Sequence, residues 1–103
     1  MKASVKEGRC GTLPEITTRV PTMACRRTAR GILEIVRRTV DDIVLVTDDE
    51  MQEASEWLWF EMGVAADLSG AASLAALRHG IPGIKNARNV CALVCGAGAE
   101  GTG

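Results

Sequence analysis

Apolar and polar positions along the chain sort into three helical stretches and two short apolar runs. From Ala29 to Val40 the apolar residues Ile32, Ile35, Val36 and Val40 recur at helical spacing. Arg30, Glu34, Arg37 and Arg38 take the other side, and the last two suit the negative end of a helix. After Asp41 and Asp42, Ile43-Val44-Leu45-Val46 reads as a short, continuous apolar strand. Thr47-Asp48-Asp49-Glu50 then spells a capping box, which predicts a helix from Asp48 to about Met62 with Gly63 as its left-handed stop. Its core stripe is Met51, Ala54, Leu58 and Met62, flanked by Trp57 and Trp59. Phe60 falls on the polar side near Glu53 and Glu56, a candidate contact with further protein.

Val64 to Leu68 reads as a link or a strand remnant. Ser69 is the expected cap of a third helix, Gly70 to His79, ended by Gly80 and Pro82. Ala71, Ala72, Ala75 and Ala76 make that helix slim enough to lie close to a sheet or a ligand. His79, the single histidine, reads as a helix C-terminal residue. The loop 81–88 leads into Asn89-Val90-Cys91-Ala92-Leu93-Val94-Cys95, which breaks into Gly96-Ala97-Gly98-Ala99-Glu100-Gly101. That is how a buried parallel strand ends where a ligand approaches the backbone. Residues 1–14 read as irregular because of Gly8, Gly11 and Pro14, and Ile16–Val20 as extended before Pro21. The order implies α/β with βαβ-like crossovers and a parallel sheet. Two strands cannot cover the apolar faces of three helices. The expectation is an incomplete portion of a larger sheet, with residues 1–103 a single partial domain.

Charge adds little to this picture. Residues 1–40 hold nine Lys/Arg against three acids, and residues 41–103 hold three against ten. No aromatics interleave the arginines and the acidic half repels phosphate, so two complementary solvated faces are expected and no nucleic-acid partner. No apolar run reaches the length of a membrane span and no signal peptide opens the chain, so a cytoplasmic protein without membrane contact is the default. Cys10, Cys25, Cys91 and Cys95 do not have zinc spacing; buried apolar thiols are the expectation, with no metal. The acids at 41–42 and 48–50 are explained by a turn and a helix N-terminus.

Gly96, Gly98 and Gly101 match G-x-G-x-x-G. That fingerprint works through a following helix whose N-terminus meets a pyrophosphate, and through an acid about twenty residues on. Neither follows here within the 103 residues, so dinucleotide binding is a minor alternative. A Walker loop, a Ser/His/Asp set and a two-His metal motif are likewise missing.

Three segments, in order, carry a resemblance. They are Ile35-Val36-Arg37-Arg38-Thr39-Val40-Asp41-Asp42-Ile43-Val44-Leu45-Val46-Thr47-Asp48-Asp49-Glu50, Asp67-Leu68-Ser69-Gly70-Ala71-Ala72-Ser73-Leu74-Ala75-Ala76-Leu77 and Leu93-Val94-Cys95-Gly96-Ala97-Gly98. Together they resemble the C-terminal part of the threonine/serine dehydratase and serine racemase family, pyridoxal-phosphate enzymes of fold type II. The middle segment is similar to the family's Glu-Pro-Ser-Gly-Ala-Ala stretch. The last stands where a hydroxyl or thiol residue precedes Gly-Gly-Asn.

The resemblance implies a lyase that releases ammonia from a small hydroxy-amino acid, or a related racemase, usually homo-oligomeric, with pyridoxal phosphate as cofactor. It places Cys95 against the pyridine nitrogen, Gly96 and Gly98 as clearance beside the ring, and the acid Asp67 near the cofactor. A neutral thiol there cannot keep the ring protonated as a carboxylate would. A plain buried strand-end thiol is the other reading of Cys95. Asp67 replaces Glu, Leu68 replaces Pro, and Ala97 and Gly98 replace Gly and Asn. Such losses loosen a site by about an ångström, enough to impair catalysis. The family's Schiff-base lysine and phosphate loop belong to its N-terminal two-thirds; Lys2, Lys6 and Lys85 lie outside any matching context, so no catalytic residue is assigned. The implied identity is a fragment or decayed copy of such an enzyme, inactive alone, with a non-catalytic interaction or regulatory module as the alternative.

Overall fold

The computed structural model describes residues 1–2, 6, 29–81 and 84–103. Three α-helices are described over their whole length, α1 (Arg30–Thr39), α2 (Asp48–Met62) and α3 (Leu68–His79), with a 3-10 turn at Ile84–Asn86. The chain forms two compact units, Met1–Val44 and Leu45–Gly103.

In the first unit, α1 lies where the spacing put it, but it buries a different face. Leu33 is its buried residue, while Ile32 and Ile35 are each 53% exposed. Both isoleucines lie roughly 100° or more around the helix from Leu33, so one stripe cannot hold all three. Its end is closed by the Val40 amide on the Val36 carbonyl at 2.9 Å and the Thr39 hydroxyl on the Ile35 carbonyl at 2.7 Å. Lys2 and Lys6 are helical, not irregular. The glycines and proline that break regular structure all come later, at 8, 11 and 14, and a breaker acts only locally. Ile16–Val20, Cys10 and Cys25 lie outside the described residues. The run Ile43–Val46 forms no ladder among the described residues, because a strand exists only with a partner. Instead the Lys2 ammonium donates to the Ile43 carbonyl at 2.6 Å.

In the second unit, α2 begins as predicted. The Glu50 amide donates to the Thr47 hydroxyl at 3.1 Å, and the Thr47 amide donates to Glu50 Oε1 at 2.8 Å. Three acids in the first turn complement the positive helix end. Gly63 closes the helix with φ 69° and ψ 25°, a left-handed conformation that only glycine adopts without strain. Met51, Ala54 and Leu58 are buried as expected, whereas Met62 is 61% exposed at the helix end, where the chain turns away. Ser55 is fully buried on the same stripe, its hydroxyl donating to the Ala66 carbonyl at 2.7 Å.

α3 packs on α2 through Ala71, Ala75 and Ala76, whose small side chains leave room for close approach. Its cap is Asp67, not Ser69: Asp67 Oδ1 accepts the Gly70 amide at 2.6 Å. The carboxylate reaches the amide three residues on, which places the helix start two residues before the predicted one. At the other end His79 reaches across to α2, with Nδ1 3.2 Å from Glu50 Oε2 and Nε2 3.5 Å from Glu53 Oε2. Beside it the Arg78 guanidinium lies 5.8 Å from the Trp57 ring centre, a cation–π contact.

Two outcomes follow from the start of α2. Thr47→Ala removes the side-chain acceptor for Glu50, and urea unfolding should show a loss of about 1 kcal/mol. The Glu50 carboxyl is held below its ordinary range, first by the Thr47 amide, against some opposing burial, and further by the Thr47 hydroxyl and the His79 ring. A lowered folded pKa means the carboxylate stabilises the fold above the unfolded pKa, and this is lost as pH falls through the folded value. Melting temperature should therefore drop on acidification below the ordinary glutamate range, and Glu50→Gln should flatten that drop.

Candidate functional site

The site begins at the apolar run 89–95. Its composition predicts a buried parallel strand, yet Leu93 is 71% and Val90 48% exposed, and no ladder forms on it among the described residues. Such a run is buried only when strands flank both its edges and helices cover both faces. What holds it is the Ser73 hydroxyl of α3, donating to the Leu93 carbonyl at 2.6 Å. Cys91 and Cys95 are therefore exposed free thiols, not the buried ones expected.

Where the run breaks into glycine, the backbone finds a partner. Ala97 forms an antiparallel bridge with Ala66, so the link before α3 is indeed a strand remnant, although paired antiparallel. The Asp67 amide donates to the Gly96 carbonyl and the Gly98 amide to the Ala65 carbonyl, each at 3.1 Å. Three of the four predicted site residues, Asp67, Gly96 and Gly98, are thus brought together, with Cys95 next in chain and exposed.

The glycines' clearance is spent on the protein itself. A Cβ on Gly96 would stand 2.6 Å from Asp67 Oδ1, and one on Gly98 would stand 2.7 Å from Asp67 Cβ. Further on, a Cβ on Gly101 would overlap the Ser55 backbone and hydroxyl, while Gln52 Nε2 donates to the Glu100 carbonyl at 2.7 Å. All three fingerprint glycines therefore serve close approach of backbone to α2 and to the start of α3. The use the motif has in a nucleotide loop, backbone facing a pyrophosphate, is not the one made here.

Sequence reasoning missed Ser55, Gln52 and Ser73, the side chains that tether this segment. Their hydroxyls and amide bond to backbone carbonyls between 11 and 48 residues away, so no local pattern marks them. The cap was legible: Asp67 stands three residues before Gly70, the spacing of an N-cap to its acceptor amide.

Comparison with known proteins bears on this arrangement. The family described as pyridoxal-phosphate dependent enzyme matches over residues 1–96, which takes in Asp67, Cys95 and Gly96 and stops short of Gly98. No curated protein matches the chain. Among solved structures, a threonine deaminase from T.th. is similar with a TM-score of 0.69 and 27% identity, over 75% of this chain and 26% of that one. The chain thus spans about a quarter of the length of that structure. The fold-type-II, α/β reading drawn from the three quoted segments stands on both findings. By a match that runs through nearly all of its length, this chain belongs to the pyridoxal-phosphate dependent enzymes.

Proposed function

We propose that the chain forms the pyridine-nitrogen side of a threonine/serine ammonia-lyase site, or of a related serine racemase, acting on a small hydroxy-amino acid. The observation that carries this reading is the exposed Cys95 thiol at the end of the apolar run, next to the Asp67–Gly96 backbone bond and within the segment that the family shares.

The residues present fit one end of the cofactor. Cys95 offers an uncharged, accessible sulfur, and Gly96 beside it adds no side chain. The phosphate end needs amides or cations, and the first turn of α3 does not provide them, because the Asp67 carboxylate already fills it. Pyridoxal phosphate, when bound, supplies an electron sink for charge developing at the substrate's α-carbon. The chain's part is to present a neutral group to the ring nitrogen, so that no carboxylate holds a proton there. Cys95 and Gly96 form that edge, with Asp67 and Gly98 behind them. Exposed free thiols at Cys91 and Cys95 suit a reducing compartment, which supports a cytoplasmic setting. The exposed Trp57 and Phe60 support a further protein surface, as in a homo-oligomer.

A polypeptide of these 103 residues should release no keto acid from L-threonine or L-serine when mixed with pyridoxal phosphate, since covalent catalysis needs the matching lysine. Steady turnover would refute that. The site itself is tested by grafting residues 65–98 into the equivalent stretch of the T.th. threonine deaminase. The chimera should bind the cofactor, and Cys95→Asp should change the cofactor's absorbance and its pH dependence while lowering elimination. An absorbance indifferent to that change would remove Cys95 from the ring. A chain that melts cooperatively without any such cofactor response in the chimera would favour the interaction-module reading.

A further inference from the structure

We propose that Asp67 is a positioning residue: its carboxylate is committed to the protein and acts on the cofactor edge only through Gly96. This deepens the reading above and rests on it for the identity of that edge.

The geometry closes on itself. Asp67 Oδ1 takes the Gly70 amide at 2.6 Å, and the Asp67 amide donates to the Gly96 carbonyl at 3.1 Å. A Cβ built on Gly96 would lie 2.6 and 2.8 Å from the two carboxylate oxygens and 2.9 Å from Cγ, so the whole carboxyl group rests against that α-carbon. A Cβ on Gly70 would overlap the Gly96 carbonyl oxygen and lie 2.8 Å from the Gly96 nitrogen. Asp67, Gly70 and Gly96 are therefore packed pairwise, and the carboxyl group is wedged between the first turn of α3 and the residue that follows Cys95. One acid fixes both.

The length of the side chain matters to this. In the resembled family a Glu stands at this place. N-caps are short side chains, because the oxygen must fold back onto an amide two or three residues on. A carboxyl one methylene longer cannot keep that bond and also stay in contact with the Gly96 α-carbon. The shorter Asp thus commits the acid to the scaffold, where it sets the position of Cys95.

The test uses the full chain and reads, by NMR, hydrogen exchange of the Gly98 amide, which donates to the Ala65 carbonyl and is freed when the segment after Cys95 leaves the start of α3. Asp67→Ala should raise the rate roughly fivefold, the ratio expected for losing one cap. Asp67→Asn, which can still accept the Gly70 amide, should restore the parent rate. Asp67→Glu should behave like Ala although it keeps the acid. Gly96→Ala should also raise the rate, but not further in the double variant with Asp67→Ala, since the atoms nearest its Cβ all belong to the Asp67 side chain. Failure of Asn to rescue, a harmless Glu, or additive effects of the two alanines would each overturn the proposal. Should Gly96→Ala not fold alone, recovery of a cooperative melt in the double variant gives the same answer, and no recovery the opposite one. Failure of the cofactor reading shows in the chimera's absorbance and leaves these rates unchanged.

Discussion

One residue, Asp67, is shared between a helix start and the glycine break after the apolar run 89–95, and the second unit is arranged by that sharing. Its side chain closes α3 by accepting from Gly70, and its amide joins the Gly96 carbonyl. A residue in extended backbone immediately before a helix has both groups to offer, because its own amide is outside the helical ladder. The consequence is geometric. Any shift of α3 along its axis moves Gly96, and with it Cys95, so the alanine face that packs α3 on α2 also determines where the thiol sits.

The two helices of this unit are tied by unlike contacts that all fall on the first half of α2. Ser55 holds the Ala66 carbonyl and Gln52 the Glu100 carbonyl of the glycine-rich tail, while Glu50 and Glu53 flank His79 from the end of α3. Glu50 uses one carboxylate oxygen for the Thr47 amide and the other for His79, so its charge serves the helix start and the helix pair together. The Ser55 bond lies in the dry interior, where a hydrogen bond is stronger and its loss dearer. The carboxylate contacts are exposed and correspondingly weak.

Much of this is readable from local signals. The capping box at Thr47, the stop at Gly63 and the helix ends at Thr39 and His79 all lie within a few residues of the chemistry that creates them. The quoted segments around Asp41, Asp67 and Cys95 also point to the family. What failed is non-local. Ile43–Val46 and Val90–Cys95 have strand composition, but a strand needs a neighbour to supply half of its hydrogen bonds, and composition cannot name one. The buried thiols failed for the same reason. On α1 the apolar spacing favours two isoleucines that the packing leaves outside, and Leu33 is the residue it buries.

The second unit's exposed surface then has a specific character. Among the described residues no buried side-chain oxygen or nitrogen lacks a hydrogen-bond partner. Large apolar side chains stay uncovered as well: Leu45 at 77%, Leu93 at 71% and Phe60 at 68% exposure. An unsatisfied buried polar group costs on the order of 1–3 kcal/mol and would work against the folded unit itself, whereas an exposed leucine merely forgoes its burial. A unit with its buried side-chain polar groups paired and its strand-like runs bare stands to gain by being covered. Leu45 and Leu93 belong to the two runs that read as strands, and Cys95 ends the second of them. Covering that run from its open edge would dry the surroundings of the thiol, and in such a low-dielectric setting the charge of any group facing it counts most.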